Sequence, residues 1–179
     1  LPHWYKTPTD GPLLINARAE SVAEKPAFRA AARERRCLIP ASGFYEWTKD
    51  PDGTRLPWYI SRADGAPVVF AGIWQDWERG EEAHRTCAIV TCAANKAISE
   101  IHHRMPVVLA SDDWAKWLGE EGKGAATLMK PAPEEALPPV ARGLGEELAG
   151  HRGTALDGGD EGRAVRAGGA GPALGHVVG

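Results

Sequence analysis

The segment 44–47, Phe-Tyr-Glu-Trp, contains the residues whose chemistry is easiest to interpret in this chain. It places one carboxylate, Glu46, among aromatic residues, directly after a short apolar run at 37–40 and the turn-forming sequence Ala-Ser-Gly. Rings that exclude water raise the pKa of a carboxyl group, and such a group can move protons near neutral pH. The alternative interpretation is an exposed glutamate on a strand whose aromatic neighbours belong to the core.

A second polar cluster follows the apolar segment 13–15. Asn16, Arg18 and Glu20 alternate with alanines, so on a strand all three would share one face. If a helix begins at Ala17 instead, Asn16 is its N-cap. In either case Arg18 can pair with Glu20, or it can bind a phosphate group.

The third candidate segment, 101–109, has two histidines and an arginine before a proline and an apolar strand. Proline favours an extended conformation in the residue before it, so a loop that feeds a strand is predicted. On such a loop only one of His102 and His103 is expected to point inward. Adjacent histidines lack the spacing with which a helix presents two ligands to one metal. Cys87 and Cys92 are interpreted as core packing, and no metal site is predicted.

Together, these segments resemble the SOS-response-associated peptidase (SRAP) family of abasic-site processing proteins. Three motifs carry the resemblance, and they occur in the order that the family has. They are Asn-Ala-Arg-Ala-Glu (16–20), Arg-Cys-Leu-Ile-Pro-Ala-x-Gly-Phe-Tyr-Glu-Trp (36–47) and Ile-His-x-Arg-Met-Pro (101–106). Shorter matching segments lie at 1–4, 24–29, 70–74 and 91–95, so the resemblance covers roughly residues 1–118.

The resemblance implies a protein that binds single-stranded DNA and forms a covalent thiazolidine crosslink with an abasic site through an N-terminal cysteine. It implies Glu46 as the acid/base carboxylate and His102 as the group that stabilises or protonates the released sugar oxygen. Asn16 would orient the N-terminal amine and thiol by hydrogen bonds. The DNA contacts that it implies are phosphate clamps and base-stacking tryptophans, namely Arg18, Arg104, Trp47 and Trp4.

The chain departs from the family pattern at its first residues, Leu1 and Pro2, which lie within what looks like a family segment. A thiazolidine needs a thiol and a free α-amine on one residue, so Cys37, Cys87 and Cys92 cannot replace the N-terminal nucleophile. Cys37 is interpreted as a small buried hydrophobe. We expect the natural protein to carry a preceding Met-Cys-Gly-Arg segment, and the chain without it to be inactive in crosslinking.

Two other classes of function compete with this interpretation. The family name records a peptidase activity, which we expect to be limited to removal of the protein's own initiator methionine. A general protease would need a nucleophile with a paired base, and no Ser-His-Asp or internal Cys-His pattern is present. The other class is a non-catalytic module for single-stranded DNA, in which Glu46 and His102 only shape the groove.

Periodicity and turn signals predict an α+β fold with a mainly antiparallel, barrel-like sheet and flanking helices. The sequence Asp-Pro-Asp-Gly at 50–53 predicts a hairpin turn. Strands are predicted at 13–16, 36–40, 44–48, 58–61, 68–74, 86–91 and 107–109, and helices at 23–35, 93–101 and 112–118.

Residues 1–140 are expected to form one SRAP-like domain that lacks its N-terminal segment. Residues 141–179 are rich in glycine and alanine and contain no aromatic residue. Such a tail cannot bury enough apolar surface to offset its ordering entropy, so disorder is predicted. Pro139 and Val140 are interpreted as the trace of the family's final strand, and a reading-frame change after them would explain the composition.

The net charge of −3 argues against a generally basic nucleic-acid-binding protein. A local cleft could still bind a strand, because only charge within a Debye length matters. Its candidate cations are Arg18, Arg35, Arg36 and Arg104, although a solvated helix end is the favoured interpretation of Arg35 and Arg36. We expect a monomer in the bacterial cytoplasm that associates with the nucleoid when it acts. Its partner would be single-stranded DNA with an abasic site, without a cofactor, metal or membrane.

Overall fold

The computed structural model describes residues 1–137 and 139–141, the last three as backbone. Its strands form two sheets, and its helices are short. In chain order, the elements are β1 Asn16–Arg18, α1 Arg29–Glu34, β2 Arg36–Ala41, β3 Phe44–Lys49, β4 Arg55–Ile60, β5 Val68–Arg79, β6 Glu82–Ala93, α2 Lys96–Ser99, β7 Arg104–Pro106, α3 Trp114–Leu118 and β8 Pro139–Ala141.

The larger sheet has five strands in the order β1-β6-β5-β2, with β7 also paired to β6. The smaller sheet has the order β3-β4-β8. Every pairing is antiparallel except that of β1 with β6. The predicted α+β fold with a mainly antiparallel sheet is confirmed. Within the described residues the strands do not close into a barrel.

The β5–β6 hairpin is the central element of the larger sheet. Both strands have 12 residues, and their register runs from Gly72 opposite Ile89 to Arg79 opposite Glu82. The turn requires Gly80, whose φ of 58° lies in the left-handed region. Along β6, alternate side chains enter the core, so the strand has one buried and one open face over much of its length.

The two sheets bury a shared apolar core. Phe44 of β3 and Phe70 of β5 meet edge to face, with ring centroids 5.9 Å apart. Trp117 of α3 is buried against β2 and donates its indole N–H to the carbonyl of Cys37 at 3.0 Å. The core therefore fixes β3, which carries Glu46, relative to the larger sheet.

The predicted hairpin turn between β3 and β4 is confirmed. The N–H of Asp50 donates to the carbonyl of Thr54 at 2.9 Å, and the N–H of Gly53 donates to the carbonyl of Asp50 at 2.8 Å. Gly53 has a φ of 87°, a conformation that glycine adopts without strain.

All three predicted helices are longer than those observed. The helix predicted at 23–35 is regular only at Arg29–Glu34, because Pro26 disfavours helical backbone in Lys25 and has no N–H of its own. The helix predicted at 93–101 is confined to Lys96–Ser99, since β6 continues to Ala93. The helix predicted at 112–118 begins at Trp114, after a 3₁₀ turn.

All seven predicted strands have a counterpart among β1–β7, although β4, β5 and β6 are longer than predicted and the first and last predicted strands are shifted. The strand predicted at 13–16 is regular at Asn16–Arg18. The strand predicted at 107–109 is regular at Arg104–Pro106, although Val107 and Leu109 still donate backbone hydrogen bonds to neighbouring strands. The final strand predicted around Pro139 and Val140 is present as β8, paired with β4. The predicted disorder of 141–179 falls, apart from the backbone of Ala141, outside the described residues.

The interpretation of both β6 cysteines as core residues is wrong for one of them. Cys92 is buried, but Cys87 is exposed, because an odd separation along a strand places two side chains on opposite faces. Cys37 is half-buried. In the described part of the chain, no helix is long and apolar enough to cross a membrane.

Candidate functional site

Glu46 is a buried carboxylate on β3. Only 6% of the residue is exposed, and its backbone is opposite Trp58 of β4. It faces the same side of the strand as Phe44, which is buried two positions earlier. Burial raises the pKa of Glu46 above its ordinary value of 4.5, and the neighbouring His102 opposes part of that rise. A carboxyl group in this state can both donate and accept a proton.

The two aromatic neighbours of Glu46 in sequence do not cover it. Tyr45 and Trp47 occupy alternate positions of β3, so their rings lie on the opposite face of the strand. The centroid of the Tyr45 ring lies 6.0 Å from that of the Trp47 ring and 5.1 Å from that of the Tyr59 ring. The guanidinium of Arg55 lies 5.6 Å from the Trp47 ring. The expectation that these flanking rings exclude water from Glu46 is corrected: the core behind β3 does so, and the rings form a separate surface.

His102 is the imidazole that the structure brings to Glu46. Its Nδ1 lies 3.7 Å from Oε1 of Glu46, and its side chain is 26% exposed. The same nitrogen lies 3.2 Å from the N–H nitrogen of Arg104 and 3.1 Å from the carbonyl oxygen of Arg104. Nδ1 accepts from the former when unprotonated and donates to the latter when protonated. His103 is exposed, so the chain presents one histidine inward, as the sequence predicts.

Arg104 is held by its neighbours. Its Nη1 donates to Oε1 of Glu20 at 2.7 Å, and its Nη2 donates to Oε2 at 3.0 Å. Nη2 also donates to the carbonyl of Thr91 at 2.7 Å. The hydrogen bond from Arg104 lowers the pKa of Glu20. The Nε of Arg104 is buried and, within the described residues, has no hydrogen-bond partner.

Asn16 and Arg18 lie on β1, which is a strand rather than the start of a helix. Arg18 is opposite Thr91 of β6, and the N–H of Ala19 donates to the Thr91 carbonyl at 2.8 Å. Arg18 is exposed and has no ion pair among the described residues, because Glu20 pairs with Arg104 instead. Thr91 thus links β1 to the Arg104–His102–Glu46 arrangement.

Trp4 lies apart from this arrangement. It is 46% exposed and, with Gln75 and Asp76, lines a cavity of about 610 Å³. Asp76 is opposite Arg85 in β6, whereas Arg104 is opposite Ala93. Eight residues of strand separate these ends by roughly 26 Å. Trp4 therefore lies near one end of the β5–β6 hairpin. His102, which precedes β7, lies near the other end, together with Glu46 of the smaller sheet.

The adjacent arginines after α1 have different surroundings. Arg36 donates to the carbonyls of Ala32, Arg33 and Trp117, so it satisfies acceptors at helix ends. Its guanidinium also lies 6.0 Å from the Trp117 ring. Arg35 lines the same cavity as Trp4. Arg35 ends α1 and borders open space, as the solvated helix-end interpretation predicts, whereas Arg36 is half-buried against the carbonyls of α1 and α3.

The three thiols are poorly suited to act as nucleophiles. Burial raises the pKa of Cys37 to about 12 and that of Cys92 to about 11. Loss of hydration to neighbouring groups also raises the pKa of Cys87, although its side chain reaches the surface. The thiolate is the reactive form of cysteine, so all three are disfavoured at neutral pH. Across residues 1–137 and 139–141, no group of three or more His, Cys, Asp or Glu side chains could hold a metal ion.

Two residues beside the site were missed by the sequence analysis. Asn95 is the N-cap of α2. Asparagine is a preferred N-cap residue, so its position alone could have indicated a helix that starts after residue 95 rather than at 93. Glu134 bonds the N–H groups of Lys96 and Ala97. It had no local signal, because its partners are 37 and 38 positions away.

The chain was compared with known proteins. Residues 1–143 match the family model described as SOS response associated peptidase (SRAP). The chain is 42% identical over 120 residues to the abasic site processing protein YoaM of Bacillus subtilis (strain 168), covering 66% of this chain and 52% of the relative. It is 36% identical over 151 residues to the abasic site processing protein YedK of Escherichia coli (strain K12), and this match covers 80% of this chain and 65% of YedK.

A solved structure is similar as well. The crystal structure of a protein from Bacteroides thetaiotaomicron superposes with a TM-score of 0.71 at 31% identity, covering 78% of this chain and 65% of that one. The chain thus spans between half and two thirds of the length of these relatives.

Proposed function

Since this chain belongs to the SOS response associated peptidase (SRAP) family, we propose that it processes abasic sites in single-stranded DNA. The proposed product is a covalent thiazolidine between the aldehyde of the opened sugar and an N-terminal cysteine. The amine condenses with the aldehyde, water leaves, and the thiol adds to the imine. The full-length gene product would supply that cysteine, and removal of the initiator methionine would be its associated peptidase activity.

The contact between Glu46 and His102 is the observation that supports this proposal most. Imine formation needs a proton on the departing hydroxyl group and a base for the attacking amine. A buried carboxyl with a raised pKa, 3.7 Å from an imidazole nitrogen, suits both tasks. In the proposed mechanism Glu46 moves these protons and His102 protonates the sugar oxygen as the ring opens. Asn16 orients the amine and the thiol from β1.

Binding of the DNA is proposed to use local cations and rings, since the net charge of the chain is −3. Arg18 is exposed without an ion pair in the described residues, so it is available to a phosphate. Arg104 would reach a phosphate by exchanging its bonds to Glu20. Trp47 would stack on a base, and Trp4 would contact the strand away from the lesion. We propose a monomer that acts in the bacterial cytoplasm at the nucleoid.

A non-catalytic module for single-stranded DNA is the second candidate. The surface of Tyr45, Trp47 and Tyr59 favours it, because neighbouring rings beside a cation are a platform for successive bases. Under this alternative Glu46 and His102 are structural. No covalent adduct with DNA forms, so substitution of either residue has no reaction rate to change.

The test incubates the full-length gene product with a single-stranded oligonucleotide that carries one abasic site. A band that survives denaturing electrophoresis measures the adduct. We expect an adduct that forms at least tenfold more slowly with Glu46→Gln or His102→Ala, since one proton-transfer group contributes about 10²–10⁴-fold. Glu78→Gln, an exposed change of the same type, is the control. Absence of any adduct, with binding retained, would reject the enzyme in favour of the binding module.

A further inference from the structure

His102 lies at the end of a short excursion of the chain, residues 94–103, between β6 and β7. The N–H of Ala94 donates to the carbonyl of His103 at 3.1 Å, which closes the base of the excursion. Within it, the N–H of His102 donates to the carbonyl of Ile98 at 2.9 Å. The backbone position of His102 therefore depends on how α2, which contains Ile98, is held.

Two side chains hold the first turn of α2. Oδ1 of Asn95 accepts from the N–H of Ile98 at 2.9 Å. Oε1 of Glu134 accepts from the N–H of Lys96 at 2.7 Å, and Oε2 accepts from the N–H of Ala97 at 2.8 Å. These are N–H groups that a helix leaves without an intrahelical partner. All three are bonded here, although α2 is too short to be stable by itself.

The segment that carries Glu134 is itself attached. The amide Nδ2 of Asn95 donates to the carbonyl of Ala132 at 3.1 Å, and Asn95 is only 8% exposed. Ala132 and Leu137 are buried in the core cluster on either side of Glu134. Asn95 and Glu134 therefore form a clasp between α2 and the segment 132–137. The Asn95 side chain bonds the backbone of that segment, and the Glu134 side chain bonds the backbone of α2.

We propose that Glu134 and Asn95 are positioning residues that set the separation between His102 and Glu46. The clasp fixes the first turn of α2, and the carbonyl of Ile98 transmits that constraint to the backbone of His102. Among the described residues, neither clasp residue shares a hydrogen bond or ion pair with the Glu46 carboxylate, so both act through His102. If these hydrogen bonds to α2 are lost, the His102 imidazole lies close to the Glu46 carboxyl in a smaller fraction of molecules. Proton transfer requires that the two groups be within hydrogen-bonding distance, directly or through one water molecule.

Because this role rests on the proposed function, the test is a double-mutant cycle in the full-length gene product. Glu134→Ala is made alone and together with His102→Ala, and the rate of adduct formation is measured on the abasic-site oligonucleotide. We expect Glu134→Ala to slow the reaction about tenfold when His102 is present and to have no further effect when it is absent. A purely structural loss would reduce both rates by the same factor, and that outcome overturns the proposal.

Amide hydrogen exchange supplies a second readout that needs no activity. In Glu134→Ala we expect faster exchange at the N–H groups of Ile98 and His102, with protection in the β5–β6 hairpin unchanged. Glu135→Ala, at the exposed neighbouring position, is the matched control and should change neither rate nor exchange. Unchanged exchange at His102 in Glu134→Ala would also overturn the proposal.

The two readouts separate failure of the inference from failure of the function. If His102→Ala by itself leaves adduct formation unchanged, the proposed catalytic role of His102 is rejected, and with it the positioning role in catalysis. If His102→Ala slows the reaction while Glu134→Ala does not, only the positioning role is rejected.

Discussion

Arg104 and Glu20 are joined by two parallel hydrogen bonds, 2.7 Å from Nη1 to Oε1 and 3.0 Å from Nη2 to Oε2. The same guanidinium is tied to Thr91. The backbone N–H and carbonyl of Arg104 both meet Nδ1 of His102. One arginine therefore links the edge of the larger sheet to the imidazole, and an acidic side chain neutralises its charge.

Replacement of Glu20 by glutamine should strengthen DNA binding. The change removes the negative charge, while Thr91 continues to hold the Arg104 guanidinium in place. We expect tighter binding of a single-stranded oligonucleotide and a steeper dependence of affinity on salt, because one more cation meets the phosphates. Fluorescence anisotropy at two salt concentrations measures both.

Glu24→Gln makes the same charge change at an exposed position four residues later and serves as the control. Equal gains in affinity for Glu20→Gln and Glu24→Gln would show a general charge effect, and Arg104 would then have no particular part in binding. The ion pair is partly exposed, so its loss should cost at most about 1 kcal/mol of stability.

The raised pKa of Glu46 makes stability depend on pH. The folded protein holds this proton more tightly than the unfolded chain, so the free energy of unfolding falls as the pH rises from 4.5 through the pKa of the folded state. Below that window the neutral carboxyl carries no penalty. We expect the wild type to lose stability relative to Glu46→Gln across the window and the difference to level off above it. Denaturant unfolding at a series of pH values measures this difference.

The contribution of His102 to this titration has a predictable sign. The charge of His102 lowers the pKa of Glu46 against the larger effect of burial. Removal of the imidazole in His102→Ala should therefore shift the loss of stability to higher pH. A wild type whose stability stays parallel to that of Glu46→Gln at every pH would contradict the assignment of a buried, titrating carboxyl.

Trp47 and Glu46 should affect different steps, because they lie on opposite faces of β3. We expect Trp47→Ala to weaken oligonucleotide binding by about 1–3 kcal/mol, the range for loss of one base-stacking ring. At saturating oligonucleotide the rate of adduct formation should be unchanged. Trp114→Ala removes an exposed ring from α3, where no DNA contact is proposed, and is the control. A lower rate at saturation would place Trp47 within the reacting site.

Alkylation should distinguish the three thiols by burial. Cys87 is exposed, whereas the pKa values of Cys37 and Cys92 are raised to about 12 and about 11. We expect iodoacetamide to modify Cys87 first in the native protein and the other two only after unfolding. Peptide mapping by mass spectrometry follows each site. Rapid modification of Cys92 in the native state would contradict its placement in the core.

The sequence predicted the elements that depend on local patterns. Apolar runs and the Asp-Pro-Asp-Gly turn were sufficient for seven of the eight described strands and for the β3–β4 hairpin, because strand alternation and turn conformation are local properties. The three helices were predicted too long, since Pro26 and the continuation of β6 to Ala93 interrupt patterns that looked helical. Local periodicity contains no information on how far a strand is extended by hydrogen bonds to a neighbouring strand, as β6 is extended to Ala93 by β7.

The geometry of the candidate site was only partly predictable from the sequence. Motifs brought Glu46 and His102 forward, and the structure places them together. The partner of Glu20 could not be predicted, because Arg104 is 84 positions away and Arg18 was a nearer cation. Glu134 was equally beyond local analysis. Contacts of this kind depend on which sheets meet, and a sequence window contains no information about that.

The Arg104–Glu20 pair, whose members are 84 positions apart, also bears on the order in which the molecule folds. The β5–β6 hairpin closes over neighbouring residues, so its loop-closure entropy is small and it is expected to form early. Glu20 and Arg104 can meet only after β1 and β7 have both reached that hairpin. Glu46 must then arrive with the smaller sheet. We therefore expect the Glu46–His102 contact to form late in folding. Under the proposed function, a partly folded chain that already exposes arginines to DNA would bind a strand without being able to react with it.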